Sequence, residues 1–330
     1  MSFDRISLED HHALRDGAGI GAVSARAQIA VAGKDRAAYL QGLLTNDIQA
    51  LTAGTGCYAA WLTPQGRMIT DVIVIETGSE TLLDVPAALA AAIAEKLDRL
   101  IFAEDARVAD ASGELGSLAH VGPAARSVLI VALAESGRRG ALEDPSVVAV
   151  DRKHHVVWTH AFAGPAGVNV YGPHDVVDQL ERDLKRGGVA VPLDAATASV
   201  LRVEAGIPQF LIDMGEETIP LEAGLDSIIS YTKGCYVGQE IIVRIRDRAH
   251  GRVARKLVGL SFQDGAVPHV PQGVTRDGRH AGRVTSGVMS PGVGHSIGLA
   301  TLLRDFTEPG TPVVLEDGTP AVVAALPFVG

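Results

Sequence analysis

Two runs of β-branched and aromatic residues flank a four-residue turn signal in the first third of the chain. The runs are CYAAWL and RMITDVIVIE, and Thr63-Pro64-Gln65-Gly66 lies between them. Pro and Gly suit turn positions, and a connection this short joins antiparallel strands. The pattern therefore predicts a β-hairpin and argues against repeated βαβ units.

Helical patterns lie on both sides of this hairpin. In KDRAAYLQGLL, residues 34–44, three leucines recur at helical spacing, and the strand-like TLLDV precedes a second helical stretch over about 86–99. Pro86 suits the first turn of that helix, because its missing N–H would have no intrahelical partner there. Hairpins mixed with helices predict an α+β fold.

The rest of the chain changes character twice. Residues 127–171 predict short strands between turns, and 176–185 predicts a helix. After residue 250 the chain consists mostly of β-branched runs cut by Gly and Pro turns, which predicts a C-terminal β-domain. We expect one unit over 1–250, with an inserted α+β hairpin subdomain at about 28–111, and a second over 251–330.

Composition argues against nucleic acid as a direct partner. The formal net charge is −10 and aromatic residues make up 4% of the chain. Tight phosphate binding needs concentrated Lys and Arg, and single-stranded nucleic acid binds to aromatic platforms. A small anionic ligand remains compatible, because a basic pocket can act within an acidic protein.

The chain shows no sign of export or of membrane insertion. The start, MSFDRISLEDHH, lacks a basic region followed by an apolar stretch, and the most apolar helical stretch, 85–94, falls short of the roughly 20 residues that span a bilayer. Two cysteines, Cys57 and Cys235, are too few for a disulfide framework and form no CxxC pair. We therefore expect a cytoplasmic protein.

The most specific motif lies in 233–240, KGCYVGQE. It consists of Lys233, Gly234, Cys235, Tyr236, Val237, Gly238, Gln239 and Glu240. It resembles the signature of the YgfZ family, whose mitochondrial relatives are iron-sulfur assembly factors. The segments LLTNDIQAL, RVEAGIP, PLEAGL and TSGVMSPGVGHSIGLA extend the resemblance over nearly the whole chain, to the skeleton that YgfZ shares with the glycine-cleavage aminomethyltransferase.

The resemblance implies a GcvT-like fold, a three-part ring with a central channel for tetrahydrofolate and a C-terminal β-barrel-like domain. It implies that Glu204 hydrogen-bonds the pterin ring, that Asp71 takes the place of the transferase's catalytic aspartate, and that Tyr58 lines the same pocket. A carboxylate suits the pterin, which presents adjacent N–H groups. Arg244 and Arg255, in the densest basic stretch, either form an exposed face or clamp the glutamate tail of folate.

The chain also departs from the transferases. Where they carry a second Asp, an Asn and a Tyr-Thr-Gly-Glu motif, this chain has Thr70, Asp84 and Phe162-Ala163-Gly164-Pro165. Deleting polar groups from a site built on buried hydrogen bonds lowers its rate steeply. We therefore expect aminomethyl transfer near background.

Cys235 is the candidate reactive thiol. Lys233 and a helix predicted to begin near Gln239 would both favour the thiolate, and we expect Cys235 at the mouth of the folate channel. Cys57, in an apolar strand, is expected to be core. One cysteine cannot hold an iron-sulfur cluster, which usually has four ligands, and we expect no metal site. Transient cluster ligation, disulfide exchange and persulfide chemistry all remain open.

Three function classes follow. The first is a factor that binds tetrahydrofolate or a one-carbon derivative and uses Cys235 to assemble, maintain or repair iron-sulfur proteins, including enzymes that modify transfer RNA; its partners would be iron-sulfur client or assembly proteins. The alternative is a folate-dependent aminomethyltransferase or demethylase with Asp71 as the catalytic carboxylate. A third possibility, a protein that binds folate only for regulation, predicts that Cys235 is dispensable.

Overall fold

A computed structural model describes residues 8–21, 25–135, 156–158, 167–188, 190–248, 251–262, 265 and 267–329. The helices of these residues are α1 (Leu8–Asp16), α2 (Arg36–Gln41), α3 (Ala90–Arg99), α4 (Ala125–Glu135), α5 (His174–Arg186), α6 (Ala195–Glu204) and α7 (Gln239–Arg248). The strands are β1 (Gly19–Gly21), β2 (Arg26–Ala32), β3 (Gly56–Leu62), β4 (Met68–Glu76), β5 (Glu80–Pro86), β6 (Arg107–Asp110), β7 (Leu115–Val121), β8 (Val156–Trp158), β9 (Gly167–Pro173), β10 (Val191–Pro192), β11 (Arg255–Phe262), β12 (Gln272–Arg276), β13 (Arg279–Ser290), β14 (His295–Leu303), β15 (Pro312–Leu315) and β16 (Pro320–Ala324).

The predicted hairpin forms β3 and β4 at one edge of a five-stranded antiparallel sheet in the order β3-β4-β5-β2-β6. Gly66 ends the turn at a φ of +74°, a conformation that Gly adopts without strain. Helix α3 packs its apolar residues Ile93 and Leu97 into the core of this sheet, together with Ile29 and Val72. The predictions of the hairpin and of both flanking helices are confirmed.

A second five-stranded sheet, β10-β1-β7-β9-β8, combines strands that lie far apart in the sequence. Part of the sequence prediction is wrong here, because Ala125–Glu135 is a helix rather than strand and turn. Its VLIVALA run is apolar throughout, and periodicity alone cannot distinguish a short buried strand from a buried helix. Helix α5, by contrast, forms as predicted and buries Val177, Leu180 and Leu184.

The C-terminal strands form a closed barrel in the order β11-β14-β13-β12-β15-β16, which confirms the predicted β-domain. Closure pairs every strand edge, and side chains such as Phe262 and Leu302 fill the interior. Helix α6 packs against the barrel through Val200 and Val203. Ala198 and Leu201 of the same helix pack with Val121 of β7, so α6 lies between the second sheet and the barrel.

Within the ranges described, no helix is both long and apolar enough to cross a membrane.

Candidate functional site

Two neighbouring cavities lie beside α6 and the segment that follows it. The large cavity has a volume of about 710 Å³ and the small cavity about 200 Å³. Pro208, which follows α6, lines both. Sites for drug-sized ligands measure roughly 300–1,000 Å³, so only the large cavity has the volume for a ligand as large as a folate.

The large cavity lies between the hairpin sheet and the barrel. Tyr58 on β3 lines it from the first sheet, whereas Arg252, Lys256 and Arg304 line it from the barrel side. Acidic side chains, Asp226 and Glu308, are present in the lining as well. The barrel side therefore offers three cations to an anionic ligand.

Asp71 lies in the wall of the small cavity and is fixed from two directions. The Tyr58 hydroxyl donates a hydrogen bond of 2.8 Å to Oδ2 of Asp71, and Nη1 of Arg26 donates to the same oxygen at 3.1 Å. The hairpin explains the first contact, because Asp71 pairs with Ala60 and Tyr58 lies two residues along the same strand, on the same face. Oδ1 of Asp71 is buried and has no hydrogen-bond partner among the described residues.

Asp84 extends this cluster to the second sheet. The Tyr171 hydroxyl of β9 donates to its Oδ2 at 2.6 Å, Nε of Arg26 lies 3.2 Å from that oxygen, and Nε2 of Gln28 donates to Oδ1 at 3.3 Å. The Asn expected in a transferase is thus replaced by a carboxylate with an arginine partner. Of the other two positions at which the chain differs from the transferases, Thr70 donates a hydrogen bond to the backbone carbonyl of Asp71. The other, residues 162–165, lies outside the described residues.

Burial and charge shape the protonation of this cluster. Burial lowers the pKa of Arg26, but the charges of Asp71 and Asp84 outweigh it and hold that pKa above its ordinary value. Burial raises the pKa of Asp84, although Arg26 partly offsets this effect. The pKa values of Tyr58 and Tyr171 are raised first by burial and next by the adjacent carboxylates, so both phenols stay protonated as donors.

Sequence reasoning missed two arginines. Arg26 begins β2, and Arg202, on α6, lines the small cavity and is 4% exposed. Nη1 of Arg202 contacts Oδ2 of Asp213 at 2.5 Å, and its Nη2 donates to Ser286 at 2.8 Å. The sequence signal that could have identified Arg26 and Arg202 is an arginine next to apolar residues, because a buried arginine needs an acidic partner.

Glu204 lies apart from both cavities. Its Oε2 accepts a hydrogen bond from Nε2 of His11 at 2.8 Å, and its Oε1 accepts from Ser290 at 2.5 Å and from the backbone N–H of Gly292 at 3.1 Å. These partners come from α1 and from the turn between β13 and β14. Protein donors thus occupy both oxygens, and the side chain connects α1, α6 and the barrel, while its predicted contact with the pterin stays a prediction.

The two predicted tail-binding arginines also lie outside the cavity linings. Arg244 is exposed on α7. Arg255 donates to Glu222 at 3.1 Å and to the backbone carbonyl of Glu217 at 2.9 Å. Of the arginines in this basic stretch, Arg252 lines the large cavity.

The KGCYVGQE motif is held mainly by structural contacts. Nζ of Lys233 donates to three backbone carbonyls at and after the end of α2, those of Gln41, Leu44 and Asn46, at 2.6–2.9 Å. All three carbonyls accept from the ammonium group, and burial lowers the pKa of Lys233 to about 8, while its effect on the Cys235 thiol stays a prediction. Tyr236 packs in the core, at the loop's inner side.

The remaining motif residues shape a loop against the hairpin. Gly238 has a φ of +85°, and a Cβ there would lie 2.4 Å from the carbonyl oxygen of Thr63, so the loop requires glycine at this position. The predicted helix starts at Gln239, and Glu240 is an acidic residue in its first turn. Among the residues that the structure describes, no atom lies within 4 Å of a Cβ built at Gly234, so packing does not demand glycine there.

The two cysteines differ in environment. Cys235 is exposed and lines neither of the two cavities, and its position at the mouth of the folate channel stays a prediction. Cys57 packs against the core of the hairpin sheet, and burial raises the pKa of its thiol to about 12. In the described part of the chain, no group of His, Cys, Asp and Glu side chains could hold a metal ion.

Comparisons with known proteins identify the family. Residues 2–233 match the GCVT N-terminal domain, and residues 255–329 match the glycine cleavage T-protein C-terminal barrel domain. The chain is 34% identical to an aminomethyltransferase of Rubrobacter xylanophilus over 97% of this chain and 85% of that protein. It is 31% identical to one from Listeria monocytogenes over 92% of this chain and 83% of that protein.

The fold agrees with a solved structure. The glycine cleavage system aminomethyltransferase T from Bartonella henselae superposes with a TM-score of 0.83 at 23% identity, over 98% of this chain and 89% of that one. The expected GcvT-like fold with its C-terminal barrel is therefore confirmed, whereas the narrower resemblance to YgfZ stays a prediction. By sequence and by fold, the chain belongs to the glycine cleavage T-protein family, which uses tetrahydrofolate.

Proposed function

We propose that the protein binds tetrahydrofolate in the large cavity and transfers a one-carbon unit at Asp71. The observation that carries this proposal is the hydrogen bond between Tyr58 and Asp71, because Tyr58 lines the large cavity and Asp71 lines the small one. A folate in the large cavity would thus lie one side chain away from a buried carboxylate.

The charges of the large cavity suit a folate. Arg252, Lys256 and Arg304 can contact the carboxylates of its glutamate tail, and Arg can do so through two parallel hydrogen bonds. The pterin would then lie towards Tyr58, at the opposite side of the lining.

Asp71 has the properties that one-carbon transfer requires. Positive charge develops on nitrogen when a one-carbon unit leaves an amine, and a fixed, buried carboxylate stabilises such charge without reorganisation. Tyr58 and Arg26 fix Oδ2, and Oδ1 is the carboxylate oxygen that has no hydrogen-bond partner among the described residues. The relatives named aminomethyltransferase favour one-carbon transfer over an accessory role for iron-sulfur proteins.

The test measures the one-carbon derivative formed from tetrahydrofolate, with an aminomethylated lipoyl carrier protein as donor. Wild type and the surface control Asp178→Asn should turn over alike, whereas Asp71→Asn should lose at least about a hundredfold in rate, as when one group that stabilises developing charge is removed. Equal rates in Asp71→Asn and wild type would remove Asp71 from the chemistry.

The exposure of Cys235 favours a second candidate function. Lys233 and Gly238 anchor the loop on both sides of this cysteine, yet Cys235 itself is exposed. Such a thiol could support iron-sulfur proteins, as the motif resemblance implies. In a deletion strain, Cys235→Ser should then fail to restore iron-sulfur enzyme activities while Cys57→Ser restores them; full complementation by both variants would reject this role.

A further inference from the structure

Asp84 is a buried carboxylate to which the proposed reaction gives no role. It is 2% exposed and belongs to the lining of neither cavity, so it touches no ligand bound there. An ionised carboxylate is costly to bury unless its charge is compensated, and the transferase pattern has a neutral Asn at this position. The groups around Asp84 therefore decide what its charge does.

Asp84 reaches Asp71 through one arginine. Asp84 pairs with Ile73 across two strands, and Asp71 lies two residues before Ile73, so all three side chains lie on one face of the hairpin sheet. Nη1 of Arg26 donates to Oδ2 of Asp71 at 3.1 Å. The Nη2 of the same arginine donates to the backbone carbonyl of Asp84 at 2.5 Å, and its Nε lies 3.2 Å from Oδ2 of Asp84. One guanidinium is thus shared between two carboxylates.

The charges of this cluster do not balance. The ionisable groups that face Asp84 are Arg26 on β2, Tyr171 on β9 and Asp71 on β4, and Asp71 in turn accepts from Tyr58 on β3. Both phenols stay protonated, so among the described residues one cation faces two carboxylates. The cluster holds one net negative charge when both carboxylates are ionised. A cation or a proton relieves such a buried charge.

We infer that Asp84 is a positioning residue for the proposed reaction, because it shares Arg26 and so leaves Asp71 with negative charge that favours a cationic substrate nitrogen. With a neutral side chain in place of Asp84, Arg26 would neutralise Asp71 completely. With Asp84, the positive charge that develops on the nitrogen completes the charge balance, and the cluster stabilises it through space without direct contact. The inference rests on the proposed function, since it concerns the reaction at Asp71.

The first test measures stability against pH with Asp84→Asn. This variant keeps the size of the side chain, its amide oxygen can accept from Tyr171, and its nitrogen can donate to Gln28 once the Gln28 amide turns round. Burial raises the pKa of Asp84, and Arg26 only partly offsets this effect, so the charge of Asp84 destabilises the fold as the pH rises. At about pH 8 the variant should unfold at a higher urea concentration than wild type, and this advantage should shrink towards about pH 5.

The second test compares kcat over the same pH range, in the assay used for Asp71. At about pH 8, Asp84→Asn should show a kcat at least about fivefold below that of wild type, with KM for tetrahydrofolate within about twofold. The two kcat values should converge as the pH falls, because protonation gives wild type a neutral side chain as well. Glu76→Gln neutralises a buried carboxylate that pairs with Arg36 outside both cavity linings, and it should match wild type at every pH.

Tyr171→Phe changes the same charge from the second sheet and serves also if Asp84→Asn folds poorly. Burial raises the pKa of Asp84, and the Tyr171 hydroxyl, which donates to Oδ2 at 2.6 Å, partly offsets the rise. Loss of this hydroxyl should therefore move the acid-side fall in kcat to higher pH.

Three results would overturn the inference. They are a kcat ratio of wild type to Asp84→Asn that is unity or stays constant with pH, a lower urea midpoint of this variant at about pH 8, and an unshifted pH profile in Tyr171→Phe. Absence of transfer by wild type would instead overturn the proposed function. The urea measurement would then decide alone whether the cluster holds its net charge.

Discussion

The hydroxyl of Tyr58 and the carboxylate of Asp71 are joined by a 2.8 Å hydrogen bond, although the two residues line different cavities. Their strands are neighbours in the predicted hairpin, so the contact is built into one local element. The bond connects the proposed folate site with the wall of the small cavity.

Tyr58→Phe should lower the rate of one-carbon transfer by about tenfold. The variant keeps the ring but removes one of the two donors that fix Oδ2 of Asp71, and a lost hydrogen bond of about 1.4 kcal/mol corresponds to a tenfold rate change. Steady-state kinetics should show lower kcat with little change in KM for tetrahydrofolate. Tyr231→Phe, outside both cavity linings, is the control. A raised KM at unchanged kcat would mean that the Tyr58 hydroxyl binds folate directly.

Arg26→Gln should destabilise the fold by about 3–5 kcal/mol, because it leaves two buried carboxylates without their cation. Burial already raises the pKa of Asp84, and loss of Arg26 raises it further. The folded variant then binds protons more tightly than the unfolded chain, so its stability deficit should shrink as the pH falls from about 8 to about 5. Urea denaturation measures this deficit.

A second substitution provides the control for Arg26. The double variant Arg26→Gln/Asp84→Asn should recover part of the lost stability, because it removes one uncompensated charge. A deficit that stays constant with pH, and that the second substitution leaves unchanged, would contradict the role of Arg26 as the counterion of this cluster.

Glu204→Ala should lower the free energy of unfolding by about 2–4 kcal/mol, since it leaves His11, Ser290 and the Gly292 N–H without their acceptor. Tetrahydrofolate affinity should stay unchanged by calorimetry. Glu181→Ala, which breaks an ion pair on α5, should cost about 1 kcal/mol or less. Weaker folate binding at unchanged stability would support the pterin contact that the family resemblance implies.

Iodoacetamide at neutral pH should modify Cys235 well before Cys57. Cys235 is exposed, whereas burial raises the pKa of Cys57 to about 12 and keeps its thiol protonated. Bound tetrahydrofolate should not slow the reaction, because Cys235 lines neither cavity. Peptide mass spectrometry measures both rates, with Cys235→Ser as the unreactive control. Faster labelling of Cys57, or protection of Cys235 by folate, would contradict this arrangement.

Local patterns in the sequence predict local contacts. Tyr58 and Asp71 lie thirteen residues apart in one hairpin, so their proximity follows from the strand pattern and the short turn. The start of α7 at Gln239 and the barrel strands after residue 250 follow from local patterns in the same way.

Contacts between segments that lie far apart along the chain could not be predicted from the sequence. Arg26 reaches Asp71 across 45 positions, Tyr171 reaches Asp84 across 87, and His11 reaches Glu204 across 193. A buried carboxylate takes whichever donor the fold brings to it, and the donor can come from any segment. The sequence therefore indicated Glu204 as a hydrogen-bond acceptor, here for a pterin, but its protein partners could be identified only from the fold.

The measurement that tests the central claim most directly is a calorimetric titration of tetrahydrofolate into wild type, Ser227→Leu and Ser199→Leu. The account predicts one-to-one binding to wild type, at least about tenfold weaker binding to Ser227→Leu in the large cavity, and unchanged binding to Ser199→Leu in the small cavity. No binding to wild type, or a loss in Ser199→Leu alone, would contradict the assignment of the large cavity to folate.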